Sequence, residues 1–406
     1  MTPGAGAVPP SRPAAPGTPL DRDLVDRVRG AVQGSADPLA VAAAARAEGF
    51  VLGSADLLRL VDEVRAEVSG AGPLQRLLET PGVTDVLVNA GGEVWVDDGA
   101  GLRRLDLRVP GEDRVRALAV RLAGGAGRRL DEASPFVDAR LPDGTRLHAV
   151  LPPLAPDGTH LSLRVPAVRR LALADLVAAG TVPPEVDPVL RAVVTGRLSL
   201  LVSGGTGAGK TTLLQALLGA VDPAERIVLV EDSGELRPDH PHVVRLEARH
   251  GNVEGRGSVG LDVLVRQALR MRPDRLVVGE CRGAEVRDLL AALNTGHAGG
   301  AGTVHANTAA DVVPRLHALA AGAGAAPAAV DAQLLAGVDV VLHVARRSGS
   351  RDLTDVAVVA AGEGGRAVVV PALTRGPDGT VGRGPGWSRL AERLGPLAGA
   401  ALSGVR

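Results

Sequence analysis

The segment from Gly204 to Thr212 constrains the fold of this chain more than any other. It reads GGTGAGKTT and matches G-x-x-x-x-G-K-[ST], the pattern of a phosphate-binding loop. In such a loop, backbone N–H groups and the N-terminus of the following helix face phosphate oxygens. An apolar run at 198–203 precedes the loop, and a leucine-rich run at 211–219 follows it. The sequence therefore predicts a buried strand, a glycine loop and a helix, with these residues around the phosphates: Gly204, Gly205, Thr206, Gly207, Ala208, Gly209, Lys210, Thr211 and Thr212.

Lys210 is the only lysine of the chain, and every other one of the 45 lysines and arginines is an arginine. A compact ammonium on a flexible stem can reach between the β- and γ-phosphates, where a planar guanidinium would not fit the same cradle. We therefore expect Lys210 to bind the phosphates of ATP and the Thr211 hydroxyl to ligate Mg²⁺. The alternative is a simple glycine-rich turn in a chain with 53 glycines. That alternative leaves the flanking strand, the helix and the retained lysine unexplained.

Composition excludes several classes of protein. The net charge of −1 gives no overall field that favours nucleic acid, so we expect no direct nucleic-acid binding. Cys281 is the only cysteine, which rules out a disulfide framework or a four-cysteine zinc site within the chain, and we interpret it as a small packed residue. No run of 18 uninterrupted apolar residues occurs, and the N-terminus lacks a cationic start followed by an apolar stretch. These patterns predict a cytoplasmic protein.

The arrangement of apolar runs predicts an α/β fold. In the second half, strand candidates at 198–203, 226–230, 242–246, 275–279 and 301–304 alternate with helical or loop segments. This alternation favours a mostly parallel sheet with helices on both faces. The predicted organisation is a disordered tail (1–19), a short helical region (20–70), a smaller N-terminal α/β domain (71–168), a linker (169–185), a P-loop domain (186–375) and a C-terminal tail (376–406).

Two apolar strands end in carboxylates. The run RIVLVEDSGEL brings Glu231 to the end of one strand, and RMRPDRLVVGE brings Glu280 to the end of another. We expect both strands to flank the P-loop strand, with Glu231 as the base that activates water and Glu280 as a Mg²⁺ ligand. The reversed assignment of roles and an ordinary solvated strand end are the alternatives.

Two histidines lie eight residues apart in the glycine-rich segment NTGHAGGAGTVHAN. A metal pair is disfavoured because no third ligand has suitable spacing. We expect His297 and His305 to reach the γ-phosphate. The other seven histidines are assigned to ordinary core or surface positions.

These four motifs, in this order and spacing, resemble the type II/type IV secretion ATPase superfamily. The branch that the chain resembles most is that of the tight-adherence (Flp) pilus ATPases and, through them, the conjugal-transfer ATPases. N-terminal segments such as DARLPDGTRLHAVLPPLAPDGTHLSLRVP are also similar to that family, and the resemblance spans roughly residues 70–375. The chain departs from the family pattern at Val165, where a second basic residue often follows Arg164. The single cysteine argues against the branch that carries a tetracysteine zinc module.

The resemblance implies an ATP-hydrolysing motor of a pilus-assembly or secretion system, with ATP and Mg²⁺ as cofactors. It implies a RecA-like ATPase domain, a hexameric ring, and ATP bound between N- and C-terminal domains. It also implies force on an inner-membrane platform protein and a peripheral position at the inner face of the membrane. A conjugal DNA-transfer ATPase, a scaffold with little hydrolysis and, less well supported, a P-loop kinase are the alternatives. N-terminal arginines would then reach the phosphates, and the candidates are Arg140, Arg146 and Arg164, with Arg282 next.

Overall fold

The computed structural model describes residues 22–32, 37–50, 52–99, 101–166, 171–249, 257–294, 298–347 and 350–405. The chain divides into two compact units, residues 1–167 and 168–406. The predicted disordered tail at 1–19 and His297 lie outside the described residues.

Helices open the first unit and pack through a small apolar core of their own. The helical periodicity of this region places Leu24 and Val28 on one buried stripe, and Leu60 and Val64 on another. Burial of these stripes stabilises helices that are too short to form alone. The helices are α1 (Arg22–Ala31), α2 (Pro38–Ala47), α3 (Ser54–Val68) and the single turn α4 (Gln75–Leu78).

The rest of the first unit contains six strands and one helix in the described part of the chain. They are β1 (Asp85–Asn89), β2 (Glu93–Asp97), β3 (Leu102–Arg108), α5 (Glu112–Gly125), β4 (Phe136–Arg140), β5 (Arg146–Val150) and β6 (His160–Arg164). The strands form an antiparallel sheet in the order β3-β2-β1-β6-β5-β4. Alternate residues of the central strands are buried, and the helix α5 packs against that face. The two edge strands, β3 and β4, did not stand out in the sequence because most of their side chains stay exposed or partly exposed.

The second unit begins with two helices and then alternates strand and helix. Each of the five predicted strands forms within about two residues of the expected position. The elements up to the last parallel crossover are α6 (Leu173–Ala178), α7 (Asp187–Thr195), β7 (Leu200–Gly204), α8 (Lys210–Leu218), β8 (Ile227–Glu231), β9 (Val243–Glu247), α9 (Leu261–Ala268), β10 (Arg275–Cys281), α10 (Glu285–Asn294), β11 (Ala301–His305), α11 (Val312–Ala321) and α12 (Pro327–Gly337).

The C-terminal part of the chain extends the same sheet with antiparallel strands and closes with two helices. These elements are β12 (Val340–Arg347), β13 (Ser350–Ala361), β14 (Ala367–Arg375), β15 (Val381–Arg383), α13 (Trp387–Leu394) and α14 (Ala398–Leu402). In the described part of the chain the sheet has nine strands in the order β15-β14-β13-β12-β7-β11-β10-β8-β9. The pairs from β12 to β9 are parallel, and those from β12 to β15 are antiparallel.

Helices cover both faces of the nine-stranded sheet. One apolar core joins it to α6, α7, α8, α13 and α14, and a second joins it to α9 through α12. Strand β7 is buried along its whole length, with Leu200 and Val202 in the first core and Leu201 in the second. Burial on both faces explains why the parallel strands read as continuous apolar runs. The mixed α/β class predicted from the sequence is confirmed.

The expectation that the strands of Glu231 and Glu280 flank the P-loop strand is wrong. The neighbours of β7 are β11 and β12, while β10 and β8 lie beyond β11. Apolar periodicity reports that a strand is buried and carries no information about which strand lies beside it.

The segments outside 186–375 also contribute to the second unit. Leu173 and Leu176 of α6, and Leu390 and Leu394 of α13, are buried in the first of its two cores. Asp339 ties α13 to the base of β7, because its carboxylate accepts a hydrogen bond from the Ser199 N–H at 2.8 Å and pairs with Arg393. The residues described between 376 and 405 therefore pack as part of this unit.

Candidate nucleotide site

The loop after β7 has the backbone that phosphate binding requires. Gly207 and Gly209 have φ angles of +69° and +100°, which residues with a Cβ rarely adopt. At Gly204, a Cβ would lie 2.2 Å from the carbonyl oxygen of Val344 in the neighbouring strand. Helix α8 begins at Lys210, so the first-turn amides of Lys210, Thr211 and Thr212 have no acceptor within the helix. The loop and this helix end together fit the phosphates of a nucleotide.

Lys210 turns back over the loop. Its Nζ donates to the carbonyl oxygens of Gly204 at 3.1 Å and Gly205 at 2.9 Å. An ammonium has three protons, so one remains for a phosphate oxygen. Burial lowers the pKa of Lys210, whereas the negative charge of Glu280 raises it. The Glu280 carboxylate is therefore close enough to act on the ammonium.

Glu231 ends β8 as a buried carboxyl group with only 4% of its surface exposed. Its Oε1 accepts hydrogen bonds from the backbone N–H groups of Glu235 and Leu236, both at 2.9 Å. Its stem packs against Gly279 of β10, where a Cβ would lie 2.7 Å from the Glu231 Cγ. Burial raises the pKa of Glu231 to about 7, against the opposing effect of the two backbone hydrogen bonds. A carboxyl group with this pKa can take up or release a proton near neutral pH.

Glu280 lies in a different environment at the end of β10. Its Oε2 accepts from Nε of Arg282 at 2.9 Å, and the carboxyl group is partly exposed. Cys281, the next residue, is buried, and burial raises the pKa of its thiol far above the usual range. The interpretation of Cys281 as a packed residue agrees with this burial.

The pairing of β11 with β7 places His305 next to the P-loop. His305 is the last residue of β11 and pairs in register with Gly204, the first glycine of the loop. The other predicted histidine, His297, lies outside the described residues.

Sequence reasoning missed a third histidine beside the loop. His343 of β12 is buried, and its Nδ1 lies 2.9 Å from the Ser203 hydroxyl oxygen, one residue before the loop. Burial lowers the pKa of His343, while Asp355 and a hydrogen bond to the backbone of Asn307 raise it. The ring thus connects the P-loop strand to the chain just after His305. No local motif could have indicated this contact, since the partners are 140 residues apart.

The three N-terminal arginine candidates come together within the first unit. Arg146 pairs in register with both Arg140 and Arg164 across neighbouring strands. Arg146 forms a two-pronged ion pair with Asp138, and Nε of Arg164 donates to Asp85 at 3.2 Å. The structure therefore forms a cluster of arginines at one end of β4, β5 and β6.

Metal binding by this site would need oxygen atoms from the substrate. Within the described ranges, no three histidine, cysteine, aspartate or glutamate side chains are grouped to hold a metal ion. Mg²⁺ is commonly held by one or two protein oxygens together with phosphates and water. Thr211, which follows Lys210 in α8, and Glu280 of β10 are the residues that would fill that role.

Residues 67–357 match the family model described as type II/IV secretion system protein. The chain belongs to this family. The resemblance predicted from the four motifs is thereby confirmed.

Relatives in this family carry names from conjugation and secretion. A putative conjugal transfer protein of Mycobacterium tuberculosis is 59% identical over 305 residues, which cover 73% of this chain and 87% of that protein. A type IV secretion system protein PtlH homolog of Bordetella bronchiseptica is 36% identical, covering 58% of this chain and 76% of that protein. Among solved structures, the VirB11 ATPase of the Brucella suis type IV secretion system is 26% identical, covering 70% and 91% of the two chains, with a TM-score of 0.37.

The raised pKa of Glu231 predicts a pH-dependent effect on stability. Because the folded state binds this proton more tightly than the unfolded state, stability falls as pH rises from about 4.5 through 7. Glu231→Gln keeps an oxygen acceptor but carries no charge. We expect it to raise the free energy of unfolding by about 3 kcal/mol at pH 8, or roughly 6–12 °C in melting temperature, with little change at pH 4. Thermal denaturation at both pH values measures this.

Glu363→Gln is the matched control, because Glu363 is an exposed glutamate in the turn after β13 and does not act on Glu231. It should change the melting temperature equally at both pH values. An equal shift for Glu231→Gln at pH 4 and pH 8 would contradict the burial argument.

Proposed function

We propose that this secretion-family chain hydrolyses ATP and drives a pilus-assembly or protein-secretion machine. The observation that carries the proposal is Lys210, held by two loop carbonyls with one proton left for a phosphate and within electrostatic reach of the Glu280 carboxylate. The relatives named for conjugal transfer favour a second candidate of the same chemistry, a motor for DNA transfer.

The proposed reaction follows from the positions of the side chains. Loop amides and the Lys210 ammonium bind the β- and γ-phosphates. The Thr211 hydroxyl and Glu280 would hold Mg²⁺, which neutralises phosphate charge when it is bound. Glu231 takes a proton from water as the water oxygen bonds to the γ-phosphorus. The bond to the β–γ bridging oxygen breaks, and ADP and phosphate leave.

The same proposal covers the oligomeric state, the partner and the location of the motor. We propose that the chain forms a homo-oligomer, with a hexamer as the expected state, and acts on a membrane platform protein from the cytoplasmic face. No helix in the described part of the chain is long and apolar enough to cross a membrane. His305 contributes to the γ-phosphate side of the proposed site, and Arg282 holds Glu280 in place.

Replacement of Lys210 tests the core of the proposal. Lys210→Ala should lower steady-state ATPase activity by at least about 10²-fold, because it removes the cation that stabilises developing phosphate charge. Lys210→Arg should fail almost as severely, since a guanidinium cannot fit between the Gly204 and Gly205 carbonyls in the same way. Phosphate release, with melting temperature as the folding control, measures both variants. Activity of Lys210→Arg near that of the parent would refute the shape argument.

Replacement of each of the two carboxylates should have a different kinetic effect. Glu231→Gln should keep ATP binding and lower turnover by about 10²-fold or more, because the proton acceptor is lost. Glu280→Gln should instead raise the Mg²⁺ concentration needed for half-maximal activity. Initial rates over a Mg²⁺ series, with ATP affinity measured separately, distinguish them. If Glu280→Gln alone abolishes turnover and Glu231→Gln has little effect, the roles are reversed.

We further propose that Arg140 or Arg146 donates to the phosphates of a neighbouring subunit, with Arg164 as a weaker candidate. Their clustering on adjacent strands supports this, and arginine pairs well with phosphoryl oxygens. Mixtures of Arg146→Ala and Lys210→Ala proteins should then regain part of the activity that each lacks. Arg103→Ala, on the far edge of the same sheet, is the control and should keep parent activity. Full activity of both the Arg140→Ala and Arg146→Ala proteins would end this proposal and leave Arg282 as the next candidate.

A further inference from the structure

The β12–β13 hairpin lies beside the P-loop strand on the side opposite to the carboxylates. Strand β12 pairs with β7 from Val340–Leu200 to Val344–Gly204. The strands of Glu280 and Glu231 lie on the other side, beyond β11. A nucleotide whose γ-phosphate points toward these carboxylates therefore directs its ribose and base toward the hairpin.

Arg351 of this hairpin lies against the phosphate loop. Its Nε donates to the carbonyl oxygen of Gly207 at 3.2 Å. Its Cδ lies 3.3 Å from the position that a Cβ on Gly209 would occupy. The Gly207 carbonyl thus differs from those of Gly204 and Gly205, which accept from Lys210. The exposed guanidinium of Arg351 therefore lies at the rim of the loop.

The guanidinium retains donors for a ligand. It has five N–H groups, and Gly207 is the one hydrogen-bond acceptor recorded for it within the described residues. The adjacent carboxylate, Asp352, pairs instead with Arg375. The Arg351 side chain is exposed, as is Arg346, its cross-strand partner. A planar cation anchored through one nitrogen can stack on an aromatic base and donate to ribose hydroxyls.

We propose that Arg351 forms the nucleoside subsite of the nucleotide site, contacting the base and ribose from within the same chain. This inference rests on the proposed ATPase function. In this proposal Arg351 contacts the nucleoside, whereas Lys210 and the loop amides bind phosphate. The contact therefore contributes to affinity for ATP and contributes nothing to affinity for inorganic tripolyphosphate.

Equilibrium binding of the full chain to Mg²⁺–ATP and to Mg²⁺–tripolyphosphate tests the subsite. Arg351→Ala should weaken ATP binding by about five- to tenfold and leave tripolyphosphate binding unchanged. Lys210→Ala should weaken both ligands, which shows that tripolyphosphate occupies the loop. Arg347→Ala is the matched control, since Arg347 lies on the opposite face of the hairpin and donates to the Arg375 carbonyl. It should leave both affinities unchanged.

Two results would overturn the inference. Equal weakening of ATP and tripolyphosphate in Arg351→Ala would mean that Arg351 only shapes the loop. Unchanged ATP affinity in Arg351→Ala would mean that it makes no contact with the nucleotide. If the parent protein itself bound neither ligand, the proposed ATPase function would fail together with the subsite, and this outcome is recognisable without any Arg351 variant.

Discussion

Backbone pairing of β7 with its two neighbours determines the geometry of the whole candidate site. Because β11, β7 and β12 are parallel, their C-terminal ends meet at one edge of the sheet. Register pairing then brings His305 and Val344 to either side of Gly204. The contact between Gly204 and the Val344 carbonyl oxygen is too close for any side chain at position 204. The loop therefore starts from a strand that cannot shift without breaking both pairings.

Side-chain contacts also hold the N-terminal end of β7 in place. The Asp339 carboxylate joins the Ser199 backbone to Arg393 of α13. Leu390 and Leu394 of that helix are buried in the core that also contains Leu200. Chain segments from far along the sequence thus hold both ends of the strand that carries the phosphate loop. A rigid strand suits a loop that must hold its amides in place before a nucleotide binds.

The contrast between Glu231 and Glu280 comes from their surroundings rather than from their sequence context. Both glutamates end apolar strands, and the two runs look alike. Packing buries Glu231 against Gly279, so its pKa rises to about 7, whereas Glu280 is partly exposed and pairs with Arg282. The two carboxyl groups are therefore suited to different roles. Glu231 can transfer a proton, and Glu280 can contribute negative charge.

Local sequence alone determined the strand, loop and helix around Lys210, the approximate positions of the five parallel strands, and the family. These features depend on glycine backbone freedom and on apolar periodicity, which are properties of neighbouring residues. Tertiary structure alone decided that β11 lies between β7 and β10, that His343 meets Ser203, and that Arg351 reaches Gly207. The His343 and Arg351 contacts join residues 140 and 144 positions apart. They depend on the strand order, which is determined by packing on both faces of the sheet at once, and no short stretch of sequence encodes that order.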